Sequence, residues 1–153
     1  MDPTLRSRVP LTFILLCAIV LAASPSAYAA IGFDAASRAA TTTTGRTSLA
    51  WPHPVGGGAD RVLLVGVAIE DVSATDANIT AVTYNGVALT AVPNSKINGG
   101  GTGIIQTQLF YLLNATLAGA GAHTVNVTTQ GPVDGISAGA TTFTGVVQGA
   151  PHP

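Results

Sequence analysis

Gly135-Ile136-Ser137-Ala138-Gly139 carries the G-x-S-x-G spacing of a nucleophile elbow, the most complete catalytic motif in the chain. An elbow needs a strand before the serine, a helix after it, and a histidine and an acid supplied from elsewhere. The residues that follow here, Ala140-Thr141-Thr142-Phe143-Thr144, favour a strand. No acid lies beyond Ser137, and the one later histidine, His152, sits in a Pro-His-Pro tail. The motif reads as a small-residue strand.

The remaining chemistry is thin. His53, His123 and His152 have no metal-ligand spacing, and there is no H-E-x-x-H or Cys/His cluster. His123 shares a two-residue period with Val125 and Val127, so a hydrogen-bonded, partly buried ring is expected. Glu70, Asp71, Asp76 and Asn78 offer oxygen ligands of the kind Ca²⁺ takes, but without the D-x-[DN]-x-[DN]-G spacing they read as surface loop acids. Asn98-Gly99-Gly100-Gly101-Thr102-Gly103 lacks the Gly-Lys-Ser/Thr ending of a phosphate cradle. Glycoside hydrolysis needs two converging carboxylates, and the acids here are either clustered between Glu70 and Asp76 or scattered. Thr124, Asn126 and Thr128 form a row that would suit a flat binding face, though outward strand positions favour such residues anyway. No catalytic, cofactor-binding or metal residue is assigned, no cofactor is expected, and the chain reads as a non-enzyme.

The scaffold around these residues begins with a leader. Arg6 and Arg8 precede Leu11 to Ala23, an uncharged apolar run of 13 residues, and Ala27-Tyr28-Ala29 follows with small-x-small spacing. This is the layout of a secretory signal peptide over residues 1–29, and the run falls short of the roughly 20 residues needed to span a bilayer. Cleavage after Ala29 would remove the only cysteine and leave a mature protein beginning at Ala30, secreted, periplasmic or on the cell surface. The mature chain carries Arg38, Arg46, Arg61 and Lys96 against Asp34, Asp60, Glu70, Asp71, Asp76 and Asp134. So sparse a charge gives no basic footprint for nucleic acid and no polybasic face for a membrane.

The mature part is built around Val62 to Glu70, entered through Gly56-Gly57-Gly58-Ala59-Asp60-Arg61. On a two-residue period Leu63, Val65, Val67 and Ile69 point one way, and Val62, Leu64, Gly66 and Ala68 the other. Both sets are apolar, so a central strand covered on both faces is expected. Asn85-Gly86 between Thr80–Tyr84 and Val87–Ala91 predicts a type I′ hairpin, with Val82, Tyr84, Val87 and Leu89 turned inward. Further strands are expected over 31–39, 47–51, 104–113, 122–129 and 135–147, with Pro52 and Pro54 ending the second of these. Residues 41–44 read as a polar link and 93–103 as a long glycine-rich loop, mobile at its tip. Eight short strands without an amphipathic helix predict an all-β fold, an antiparallel sandwich of jelly-roll or immunoglobulin-like type over 30–148, with a tail at 149–153.

Several phrases in this order resemble a family of β-sandwich modules in secreted and cell-surface bacterial proteins, mostly of unassigned function. They are Trp51-x-His53, the glycine-rich approach to Asp60-Arg61, Val82-Thr83-Tyr84-Asn85-Gly86-Val87-Ala88-Leu89-Thr90 and Leu109-Phe110-Tyr111-Leu112-Leu113-Asn114. Gly121-Ala122-His123-Thr124-Val125-Asn126-Val127 and Phe143-Thr144-Gly145-Val146-Val147-Gln148 complete the set. Pro52 and Pro54 depart from the family's usual Trp-Ser-His-Thr-like phrase. The resemblance implies a sandwich fold and an extracellular setting, and brings no catalytic residues. In that family the module continues past Gly-Val-x-Gln, so a sandwich truncated at its C-terminus is expected. The first functional reading is a non-catalytic extracellular module that binds a surface, glycan or protein, or acts as a spacer. The second is a structural subunit that self-associates through strand edges, and the third a secreted hydrolase.

Overall fold

The computed structural model describes residues 30–72, 77–99 and 103–149; the leader and the last four residues lie outside them. Among the described residues there are ten strands and no helix: β1 (Gly32–Thr41), β2 (Arg46–Val55), β3 (Val62–Asp71), β4 (Ile79–Tyr84), β5 (Val87–Ala88), β6 (Thr90–Ala91), β7 (Ile97–Gly99), β8 (Ile104–Leu113), β9 (Gly121–Val133) and β10 (Gly135–Thr144). They form two antiparallel sheets. Sheet A runs β1-β10-β3-β8-β6, with β7 also paired to β8, and sheet B runs β2-β9-β4-β5. Successive long strands alternate between the two sheets, so the chain crosses the sandwich between each long strand and the next.

Strand β3 is central as expected, with β10 on one side and β8 on the other. Its Leu63, Val65, Val67 and Ile69 face sheet B and meet Val82, Tyr84, Val125 and Val127 in one buried core. Each fully buried aliphatic side chain of this kind contributes about 1.5–3 kcal/mol. The expectation of cover on both faces is corrected. Leu64 on the other side of β3 is exposed, and Gly66 and Ala68 beside it are only half-buried. One layer suffices because the sandwich has a single core between its sheets; the outer surface of sheet A is left apolar.

Three local expectations also change. Strand β2 does not end at Pro52 but continues through Pro54 to Val55. It is an edge strand, so the missing N–H groups fall on its free side, opposite Thr124 and Ala122, while Trp51 and His53 turn inward. The Asn-Gly hairpin has the expected left-handed turn, with φ of 51° at Asn85 and 79° at Gly86. Its arms pair only at Tyr84↔Val87 and Thr83↔Ala88. After Leu89, whose N–H still reaches the Val82 carbonyl, the chain crosses to sheet A as β6. Leu89 is buried at the crossing, whereas Val87 is exposed beside the turn instead of inward. Within the glycine-rich stretch after Pro93, Ile97–Gly99 form a short strand, β7, that pairs with β8.

Replacing Gly86 with valine puts a β-branched residue at φ 79°, where an added Cβ meets nothing within 4 Å, so the cost is backbone strain alone. A loss of about 1–3 kcal/mol is expected by urea denaturation. A midpoint equal to that of the parent would contradict the type I′ turn.

Candidate functional site

The sequence phrase Trp51-x-His53 becomes a buried polar cluster between the sheets. Trp51 Nε1 donates to Ser37 Oγ at 2.9 Å. The same oxygen lies 2.9 Å from His53 Nδ1, and His53 Nε2 lies 2.7 Å from Thr142 Oγ1. Ser37 belongs to β1 and Thr142 to β10, so a sheet B histidine is clamped to two sheet A strands. Tyr84 donates its hydroxyl to the His53 carbonyl at 3.1 Å and stands with its ring edge-on between those of His53 and His123. Burial, opposed by the nearby Asp34 carboxylate, holds the His53 pKa below its usual value. Burial also pushes the Tyr84 phenol up, so it stays a donor.

A serine hydrogen-bonded to a histidine invites a nucleophile reading, and the geometry opposes it. His53 is fully buried, the group on its far nitrogen is a hydroxyl, and the nearest acid, Asp34, accepts from the Gly56 N–H instead. A nucleophile must reach substrate and its base must be oriented. The cluster is a neutral clamp. Ser37 and Thr142 were not singled out from the sequence, and only the inward register of β1 and β10 brings them to His53.

The sequence candidates otherwise stay apart. Ser137 lies exposed near the start of the continuous strand β10, opposite Ala40 and Ala68, where no elbow forms. His123 is partly buried, with Nε2 3.3 Å from the Gly119 carbonyl oxygen. In the Glu70–Asn78 loop, Asp71 is buried, contrary to a surface acid, because it still lies in β3 on the core-facing side, while Asp76 falls outside the described residues. Among the described residues no group of three His, Cys, Asp or Glu could hold a metal ion. Arg61, also buried, ties three loops together: its guanidinium donates to Asn114 Oδ1 and the Gly56 carbonyl, and its own carbonyl accepts from Gln148.

The two outer faces differ in chemistry. Sheet B presents Ala50, Pro52, Thr83, Thr124, Asn126 and Thr128, mostly hydroxyl and amide groups. On sheet A the large apolar residues Leu64, Ile97, Ile105 and Leu109 are 37%, 65%, 47% and 50% exposed. Beside them, Gly66, Ala68, Ser137 and Gly139 form the floor of an open trough of about 420 Å³. The G-x-S-x-G motif is therefore one side of this floor, its small residues alternating outward on β10. Ile97 and Leu109 wall the trough on the β8 side. Charges stay at its rim, with Arg38 on β1 paired in register to Gly139, and Glu70 at the end of β3. This face is the candidate functional surface.

No protein-family model matches the chain, and no curated protein or solved structure does so either.

Proposed function

We propose that this chain is a non-catalytic extracellular β-sandwich module that works by contact, docking a partner on the outer face of sheet A. The observation that carries this reading is the row of exposed Leu64, Ile97, Ile105 and Leu109 beside a floor of glycine, alanine and serine. Soluble proteins seldom leave contiguous apolar surface of this kind bare unless something binds there. The signal-like residues 1–29, and the resemblance to modules of secreted and cell-surface bacterial proteins, support export. Within the sandwich class, the strand orders β1-β10-β3-β8 and β2-β9-β4-β5 support the jelly-roll type over the immunoglobulin-like one. By analogy of fold alone, jelly rolls include both lectins and self-assembling capsid subunits.

A printed glycan array and the solution mass, run on the wild type, Leu109→Asp and Thr124→Asp, test the reading. Both variants are on outward positions, so circular dichroism should show each folded. Leu109→Asp should lose the association that the wild type shows, and Thr124→Asp, on the sheet B face, should keep it. Equal loss in both, or a wild type that associates in neither assay, overturns the proposal.

A further inference from the structure

The outer face of sheet A holds a ridge and a trough side by side. The ridge follows β8 and β7 through Leu109, Ile105 and Ile97; the trough floor follows β3 and β10 through Gly66, Ala68, Ser137 and Gly139. A surface with both features next to each other is complementary to itself. A two-fold axis in the plane of contact, parallel to the strands and running over β3, sets the β8 ridge of each copy over the β10 floor of the other, with Leu109 above Gly139. That is the isologous geometry of a closed dimer.

Area supports it. From β1 to the β6 and β7 edge, and from the Val62 row to the Glu70 row, the face measures roughly 19 Å by 27 Å at ordinary strand spacings, about 500 Å² in projection. Two such faces together bury about 1,000 Å² or more, which reaches the lower limit for a specific interface. Charge does not oppose it, since the floor is uncharged and Arg38 and Glu70 stand at its margins. The strand edges are poorer sites for self-association. β2 has prolines at 52 and 54 on its free side, and β1 is broken by a bulge between Phe33 and Ala35. We infer that the occupant of the outer face of sheet A is a second copy of this chain, packed face to face by ridge into trough. The inference rests on the docking role of that face and names its partner.

Gly139 gives the sharpest test. A Cβ there meets only the Ser37 carbonyl oxygen, at 3.7 Å, so valine fits the strand while filling the trough that Leu109 of the other copy would occupy. Sedimentation equilibrium of the mature protein from Ala30, over micromolar to near-millimolar concentration, should give twice the monomer mass. Gly139→Val should raise the dissociation constant about tenfold or more, with a melting temperature, read where both proteins are monomeric, no lower than the parent's. Leu109→Asp should give monomer, and Thr124→Asp should leave the dimer intact. A wild type that stays monomeric throughout, or a Gly139→Val protein that dimerises like its parent, overturns the inference. If the wild type is monomeric yet loses glycan-array binding on Leu109→Asp, the two-copy inference fails while the docking face stands.

Discussion

Replacing His53 with alanine is expected to destabilise the protein by about 3–5 kcal/mol, from the cavity left by a buried ring and from hydroxyl partners left without it. The ring is fully buried and holds Ser37 and Thr142 at 2.9 and 2.7 Å, so both sheets lose an anchor at once. In the neutral ring one nitrogen donates and the other accepts. With Trp51 already donating to Ser37 Oγ, the serine hydrogen can pass to Nδ1 while Nε2–H donates to Thr142. A protonated ring donates from both nitrogens and displaces that serine hydrogen, which adds to the cost of a buried charge.

The sign of the pH dependence follows. The folded pKa of His53 is lowered, chiefly by burial, so between that value and the unfolded value of about 6.5 the unfolded chain binds more protons. Its contribution is complete above about pH 6.5 and is lost as pH falls through the folded pKa. Urea midpoints from pH 8 down to pH 4 should therefore fall for the parent, and the His53→Ala series should lack the component that begins near 6.5. Parallel curves for the two proteins would show that His53 does not titrate differently on folding.

Local pattern carried much of this architecture. The alternation in Val62–Glu70, the Asn85-Gly86 turn and the limits of Ile104–Leu113 were legible because each is encoded within one strand or turn. What needed three dimensions involved partners distant in the chain. His53 meets Ser37 16 residues away and Thr142 89 residues away. Period two shows that each residue shares a face with its neighbours at i±2, but not which strand lies opposite. The prolines misled because Pro52 and Pro54 stop a central strand, whereas on the edge strand β2 they are tolerated. The trough was written in the sequence as Gly66-x-Ala68 and Gly135-x-Ser137-x-Gly139. It became a surface only when β3 and β10 paired with Ala68 opposite Ser137 and Gly66 opposite Gly139.

The opposite side of the sandwich should show a second large effect, from Gln106. It is buried on the core-facing side of β8, where a leucine would be unremarkable. Its Oε1 accepts from the Ile79 N–H at 3.0 Å, and its Nε2 donates to Asn78 Oδ1 and Asn98 Oδ1, each at 3.1 Å. Asn78 in turn donates to Gln130 of β9, so the chain of contacts runs from sheet A into sheet B. Gln106→Met keeps the volume and removes the three hydrogen bonds, stranding a part-buried N–H. A loss of about 2–3 kcal/mol is expected. This cluster shares no residue with the one around His53, so the two losses should add to within about 0.5 kcal/mol. A domain of this size has about 5–15 kcal/mol in all, and the summed loss of roughly 5–8 consumes much of it. Each single variant should therefore unfold cooperatively at a lower urea midpoint, and His53→Ala/Gln106→Met should be largely unfolded or close to it in buffer. If the double variant loses no more than His53→Ala alone, the two sides of the sandwich are not independently clamped, and the Gln106 hydrogen bonds add nothing net to the fold.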